Sequence, residues 1–399
     1  MNFNPNAFEI LKERGFIQLT SHEEELKAAL RKGPVTFYLG IDPTANNLHI
    51  GHCFPLLVFK ILQDHGHKGI LLLGDATAAV GDPSFKNDMR KMLSKGELEQ
   101  NANSIEKTLG RFIDIDKTTI VRNGDWHNNM NAIWFMQTVG AHFTAARMLS
   151  HECFKSRADL TFFELSYMLL QAYDFVHLNN EYNCTLQIGG TDQWANILAG
   201  VDLGRRMAFR DGKQRPLMMA FCNPLLANYE GVKMGKTEKG ALWVNPDKTP
   251  PYELYQYFLN VSDLDVEKLL TFYSCLPVAE IKQKCKADII AAKKLMAFEV
   301  TKKIHGEVAA KKSQEMAEQL FSGVGTDAPV EKVKAESKVL VDILALTSII
   351  KSKREARELI ESGAIQIDGE RVTDIGATID KREFLVKKGK KTFLKVVIV

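Results

Sequence analysis

The chain has 399 residues, 45% hydrophobic and 25% charged, which describes a globular protein with a substantial core and more than one domain. No apolar run reaches the roughly 18 residues of a membrane span, and the opening MNFNPNAFEILKERG carries early acids and no signal core. The 52 Lys and Arg against 49 Asp and Glu are unevenly spread: residues 338–399 hold 13 and 9, leaving 39 and 40 elsewhere. A basic C-terminal module points to a polyanionic partner, or to an ordinary solvated surface. Six cysteines at 53, 153, 184, 222, 275 and 285 form no C-x-x-C pair. That pattern fits reduced thiols in the cytoplasm better than a disulfide or zinc framework.

Residues 35–41, VTFYLGI, predict a short strand rich in β-formers. A loop of Asp, Pro, Thr and Asn follows, then an apolar helix pattern through FPLLVFKILQDHG and a second buried strand at 69–74, GILLLG. This is a βαβ unit of the right length, and TLQIGG (185–190) leading into TDQWANILAGVDLGRR is a second strand-to-helix transition. Such alternation predicts an open, Rossmann-like parallel sheet with ligands at the carboxyl ends of its strands. After Pro250, amphipathic helical segments run to about 322, and SGVGTDAPVEKVKAES has linker composition. The remainder returns to helix and then to short strands punctuated by Gly. The expected order is an α/β domain over 1–245, an all-helical domain over 246–322, a linker over 323–337 and a small α+β domain over 338–399.

Several segments hold candidate chemistry. Asp42 to His52, DPTANNLHIGH, lies where a strand ends and a helix begins, and helix N-termini bind phosphate through free N–H groups. His49 and His52 can donate to phosphate oxygens, and Gly51 allows close backbone approach. Metal ligation and plain helix capping are the alternatives, although H-x-x-H lacks the glutamate of a zinc protease. Gly81-Asp82-Pro83-Ser84, followed by Lys86 and Arg90, reads either as a turn or as a site beyond the second strand. In the helical stretch TFFELSYMLLQAYDFVHL, Tyr167, Gln171 and Asp174 share one face. A carboxylate in so apolar a helix needs partners, either a ligand or an internal polar network. Gln187 and Gln193 are neutral groups suited to orienting a ligand. Lys233-Met234-Gly235-Lys236-Thr237 fails as a phosphate-binding P-loop, because the first glycine position is Glu230. It reads as a cationic clamp or as two solvated lysines.

Taken together and in order, these segments resemble the class I aminoacyl-tRNA synthetases. His49-Ile50-Gly51-His52 is their HIGH signature, and KMGKT at 233–237 looks like their KMSKS loop. FYLGIDPTANNLHIGH, GDPS, SYMLLQAYDF and LQIGGTDQW are similar to the tyrosyl branch, and the end of the chain resembles the S4-like RNA-binding module of its bacterial form. The resemblance spans nearly the whole chain. It implies a tyrosine–tRNA ligase that uses ATP, with Mg²⁺ on the phosphates and no protein-bound metal. The implied partners are tyrosine, ATP and a tRNA, and the implied assembly is a homodimer formed through an insertion at about 125–185.

The resemblance also implies roles. Tyr38 and Asp174 would meet the tyrosine phenol. Asp82, Tyr167 and Gln171 would surround the ammonium, with Gln193 near the carboxyl group. Asp42, His49, Gly51, His52, Gly190, Asp192 and Lys236 would contact ATP, with Asn196 a weaker candidate. Lys86, Arg90, Lys233 and Lys236, with Thr237 beside them, would serve the pyrophosphate in the transition state. Gly235 and Thr237 depart from the two serines of KMSKS, which puts the tuning of loop closure in question. The rival expectations are a tryptophanyl enzyme, an RNA-binding protein built on a synthetase scaffold, or another adenylyl transferase of the same superfamily.

Overall fold

A computed structural model describes residues 4, 6–85, 92–155, 159–212, 215–237, 240–322, 330–335, 337–389 and 392–399. Its central sheet has six strands: β1 (Leu19–Thr20), β2 (Thr36–Ile41), β3 (Lys68–Leu73), β4 (Thr118–Arg122), β5 (Leu186–Gly190) and β6 (Met219–Asn223). The order is β1-β6-β5-β2-β3-β4, parallel throughout except for β1, which pairs antiparallel with β6. The central strands read as apolar runs, TFYLGI and KGILLL, because helices cover a parallel sheet on both faces and leave nothing to alternate. The chain runs outward from β2 through β3 to β4 and returns on the other side of β2 as β5. That reversal opens a crevice at the carboxyl ends of β2 and β5.

Three helices border this crevice. The first, α1 (Ile50–Asp64), is nearly apolar and ends where Gly66 takes the left-handed conformation at φ +87°. The second, α2 (Phe162–Tyr182), begins with a capping box: Thr161 Oγ1 accepts from the N–H of Glu164, whose carboxylate accepts from the N–H of Thr161. It ends at Asn183 in the left-handed region. The third, α3 (Trp194–Arg210), packs on α2 at Gly200, where a β-carbon would stand 3.2 Å from that of Phe175. Tyr38, Ile70, Leu72, Met168, Phe175 and Leu203 anchor the core between the sheet and this helix pair.

The described chain divides into two compact units, Met1–Pro250 with Val261–Ile304, and Pro251–Asn260 with His305–Val399. The helical stretch expected over 246–322 is therefore shared between them, and side-chain contacts explain the division. The Arg14 guanidinium donates to the carbonyls of Thr271, Ser274 and Leu276, tying the helix Asp263–Tyr273 to the first unit. Tyr252 and Met316 instead share a cluster with Phe393 in the second. The second unit also carries a five-stranded sheet over Val330–Ile398, packed on the helices Leu340–Leu344 and Lys353–Glu361.

Candidate active site

A cleft of about 380 Å³ occupies the crevice between β2 and β5. Every described candidate side chain except Asn196 reaches it. Tyr38 and Asp42 come from β2 and the residue after it, His49 and His52 from the start of α1, and Tyr167, Gln171 and Asp174 from α2. Asp82 and Lys233 come from loops and Asp192 and Gln193 from the short 3-10 helix Thr191–Gln193 after β5, and Gly51 and Gly190 line it with backbone. Lys86 and Arg90 lie outside the described residues. Lys236 and Thr237 are described as backbone only, paired antiparallel with Ala241 and Gly240.

At the inner end, Asp174 is 1% exposed. Burying a carboxylate is very costly unless donors surround it. Three do: Trp126 Nε1 and His127 Nε2 donate to Oδ1 at 2.8 and 2.7 Å, and Asn123 Nδ2 donates to Oδ2 at 3.1 Å. The internal network weighed for this carboxylate therefore exists, and the residues stand beside a cleft as well. Tyr38 lies close enough to feel the charge. Burial and then Asp174 push its phenol well above the ordinary tyrosine pKa, so it remains a hydroxyl. That hydroxyl is buried with no hydrogen-bond partner among the described residues, as are Gln171 Oε1 and Gln187 Oε1. Orphaned buried groups are rare in a folded protein, and several around one cleft point to a ligand that completes them.

Two further networks hold the middle of the cleft. Asp42 accepts from Thr77 Oγ1 at 2.8 Å and from the Tyr167 hydroxyl at 2.9 Å. Gly74 is required beside it, since a β-carbon there would stand 2.3 Å from Asp42 Oδ1. Asp82 accepts from the N–H of Ser84 at 3.0 Å and from Gln193 Nε2 at 2.8 Å. Asn196, behind the lining, donates to Gln193 Oε1 at 3.2 Å and to Ser84 Oγ at 3.4 Å.

At the outer end the two histidines cap α1 with each other. His49 Nδ1 accepts from the N–H of Gly51 at 3.1 Å, and His52 Nδ1 accepts from the N–H of His49 at 3.3 Å. With both Nδ1 atoms accepting, each ring carries its proton on Nε2. The rings stack with centroids 3.7 Å apart. Capping thus orients the donors and is no rival to a phosphate site. Gly235 sits at φ +87°, and a β-carbon on it would meet Ile50 Cγ1 at 2.5 Å. The glycine that replaces the family serine is therefore fixed by conformation and by contact. Lys233 pairs with Asp192 at 3.3 Å, with the lysine exposed and the aspartate half-buried. Among the described residues, no group of three or more His, Cys, Asp or Glu is placed to hold a metal ion.

Comparison with known proteins decides the family. Residues 30–322 match the family model of "tRNA synthetases class I (W and Y)", and residues 317–396 match that of the "Tyrosine--tRNA ligase SYY-like C-terminal domain". The tyrosine--tRNA ligase of Clostridium tetani (strain Massachusetts / E88) is 45% identical over 410 residues, 98% of this chain and 99% of that one. The chain belongs to the tyrosine–tRNA ligase family. A second family member, from Clostridium botulinum (strain Alaska E43 / Type E3), is 46% identical over the same shares of the two chains. The solved C-terminally truncated mitochondrial tyrosyl-tRNA synthetase of Aspergillus nidulans superimposes with a TM-score of 0.69 at 27% identity. It covers 79% of this chain and 94% of that chain.

Four residues of the site escaped the sequence reading: Thr77, Asn123, Trp126 and His127. The last three lie in R-N-G-D-W-H, directly beyond β4 and so at the same sheet edge as the cleft. Position after a parallel strand was the available signal.

Proposed function

We propose that this chain activates L-tyrosine with ATP to tyrosyl-adenylate and transfers the tyrosyl group to the 3′ end of its tRNA. The observation that carries the tyrosine assignment is the unpartnered Tyr38 hydroxyl buried in the field of Asp174. A phenol between them donates to the carboxylate and accepts from Tyr38. Phenylalanine leaves the Tyr38 hydroxyl unpaired and an acceptor position of Asp174 unfilled in a buried site, which is how a pocket rejects an analogue lacking a hydroxyl, tyrosyl enzymes being the standing example. Asp82, Tyr167 and Gln171 are suited to the substrate ammonium, and Gln193 to its carboxyl group.

In the first step the tyrosine carboxylate attacks the α-phosphate in line and pyrophosphate leaves. In the second a ribose hydroxyl of the tRNA terminus attacks the adenylate carbonyl. The carboxylate is already a nucleophile, so the protein's task is to position it and to stabilise charge developing on the phosphates. We assign that to the Nε2–H groups of His49 and His52 and to Lys86, Arg90, Lys233 and Lys236, with Thr237 beside them. Asp42, Gly51, Gly190 and Asp192 shape the ATP site, and Mg²⁺ accompanies the phosphates. ATP–pyrophosphate exchange with tyrosine, tryptophan and phenylalanine tests the reading. Tyrosine alone is expected to support exchange, and exchange with tryptophan would overturn the specificity.

We assign catalysis to 1–245, anticodon contact to the helical stretch 246–322 and further RNA contact to 338–399, with the linker expected over 323–337 cut short by the strand Val330–Val333. Lys353 and Arg354, exposed at the start of the helix Lys353–Glu361, support the last assignment. Charge reversal of both is expected to lower tRNA charging while sparing exchange. We also propose a homodimer. Ile133, Trp134, Met136, Leu149, Phe162 and Phe163 lie exposed within the insertion, and a second copy is the occupant that would cover them. Phe162→Asp is expected to shift sedimentation from dimer to monomer. The six cysteines are unpaired in the fold, which supports a cytoplasmic location.

A further inference from the structure

His127 ends a four-residue helix, Gly124–His127, whose position is fixed from several sides. The N–H of Asn123 donates to the carbonyl of Leu73 at 3.2 Å, its side-chain oxygen accepts from the N–H of Ala76 at 2.9 Å, and the N–H of Gly124 donates to Asp75 Oδ1 at 2.7 Å. The imidazole is 5% exposed and lies among Trp126, Phe135 and Tyr173, with ring centroids 6.0 to 6.4 Å away. Asp174 Oδ1 accepts from Trp126, and with that oxygen as acceptor His127 carries a proton on Nε2 and donates to it at 2.7 Å. Its Nδ1 is buried with no partner among the described residues. The ring's polar purpose is therefore the bond to Asp174.

That bond has a geometric consequence. A carboxylate oxygen accepts about two hydrogen bonds. Among the described residues, Oδ1 already takes Trp126 and His127, whereas Oδ2 takes only Asn123, at 3.1 Å. The open acceptor position lies on Oδ2.

We propose that His127 is a positioning residue for tyrosine selection: by filling Oδ1 together with Trp126, it fixes the rotation of Asp174 and presents Oδ2 to the substrate phenol. This rests on the tyrosine reading above. The alternative is that His127 only fills space beside a carboxylate that the other two donors already hold.

Two variants in the full-length protein separate these. His127→Phe keeps an aromatic ring and removes the donor, whereas His127→Gln keeps an N–H at comparable reach. Exchange kinetics would be read for tyrosine, phenylalanine and ATP, together with a thermal melt. His127→Phe is expected to raise the tyrosine KM on the order of 10- to 100-fold, the range of a hydrogen bond to a charged group. The tyrosine-over-phenylalanine ratio should fall in parallel, the ATP KM should stay within about twofold, and His127→Gln should recover most of the loss. An unchanged tyrosine KM and ratio in His127→Phe overturns the proposal. So does a loss in both variants that extends to the ATP KM and the melt, because that marks a structural role. A wild-type protein that does not use tyrosine sinks the functional reading itself, a different result from an active wild type with indifferent variants.

Discussion

The two ends of the cleft are built on opposite principles. Asp174, at the inner end, is 1% exposed and held by three donors from one short segment, so its geometry is set before any ligand arrives. At the outer end the Lys233–Asp192 pair leaves 54% and 31% of its side chains open, and the two histidines cap α1 with each other at its first turn. Recognising a hydroxyl by hydrogen bonds requires a dry, prearranged site, because discrimination comes from leaving buried groups unpaired. Charge that develops on phosphates can be met by long cationic side chains that keep their water until needed. On the proposed reading, one cleft divides selection from chemistry along its length.

Substitution at the inner end should therefore have the largest effect. Asp174→Asn puts an amide where three donors converge, so the tyrosine kcat/KM is expected to fall roughly 10³-fold, while that for phenylalanine changes little. Exchange assays with both amino acids would show it, and intact discrimination would move the specificity site elsewhere. Next is His52→Ala, which removes one donor proposed for the phosphates and one half of the cap on α1. Adenylate formation is expected to slow roughly 100-fold, with the tyrosine KM nearly unchanged. Single-turnover kinetics would separate the two terms, and an unaltered rate would remove His52 from the chemistry.

Legibility in the sequence followed the same division. The parallel sheet was readable because VTFYLGI and GILLLG are continuous apolar runs, which only a strand covered on both faces needs. Tyr167, Gln171 and Asp174 were readable because helical spacing puts them on one face, and α2 does so. The pairing of Asp174 with its three donors was not readable. Asn123, Trp126 and His127 are about 50 residues from it in sequence, and only the β3–β4 pairing brings their turn to the cleft. The division into two units was hidden for a related reason. Consecutive amphipathic helices look alike in sequence, and what separates them is long-range contact such as the Arg14 guanidinium on the carbonyls of Thr271 and Ser274.

The outer loop offers a subtler test. Gly235 holds a left-handed conformation over Ile50, where a side chain costs about 1–2 kcal/mol before any clash. Gly235→Ala is expected to lower kcat roughly tenfold. Adding Ile50→Ala should return only the part due to contact, leaving the conformational part in place. Full recovery in the double variant would show that the left-handed backbone is unimportant to turnover.

The smallest effect concerns stability, where the same chemical change can be made at both ends. Asp192→Asn breaks an ion pair that is half in water, and such pairs contribute about 0–1 kcal/mol because solvent already screens them. Asp174→Asn instead leaves an N–H facing buried N–H groups, a loss of about 3 kcal/mol. Thermal melts without ligand should therefore place Asp192→Asn almost on the wild-type curve and Asp174→Asn clearly below it. Salt sharpens the contrast, since exposed charges are screened within about 10 Å at 0.1 M and buried ones much less. Raising the salt concentration should erase what little separates Asp192→Asn from wild type and leave the Asp174→Asn deficit standing. Equal shifts in the two variants would mean that the outer pair is as prearranged as the inner network, and the division of the cleft would then lie in chemistry alone.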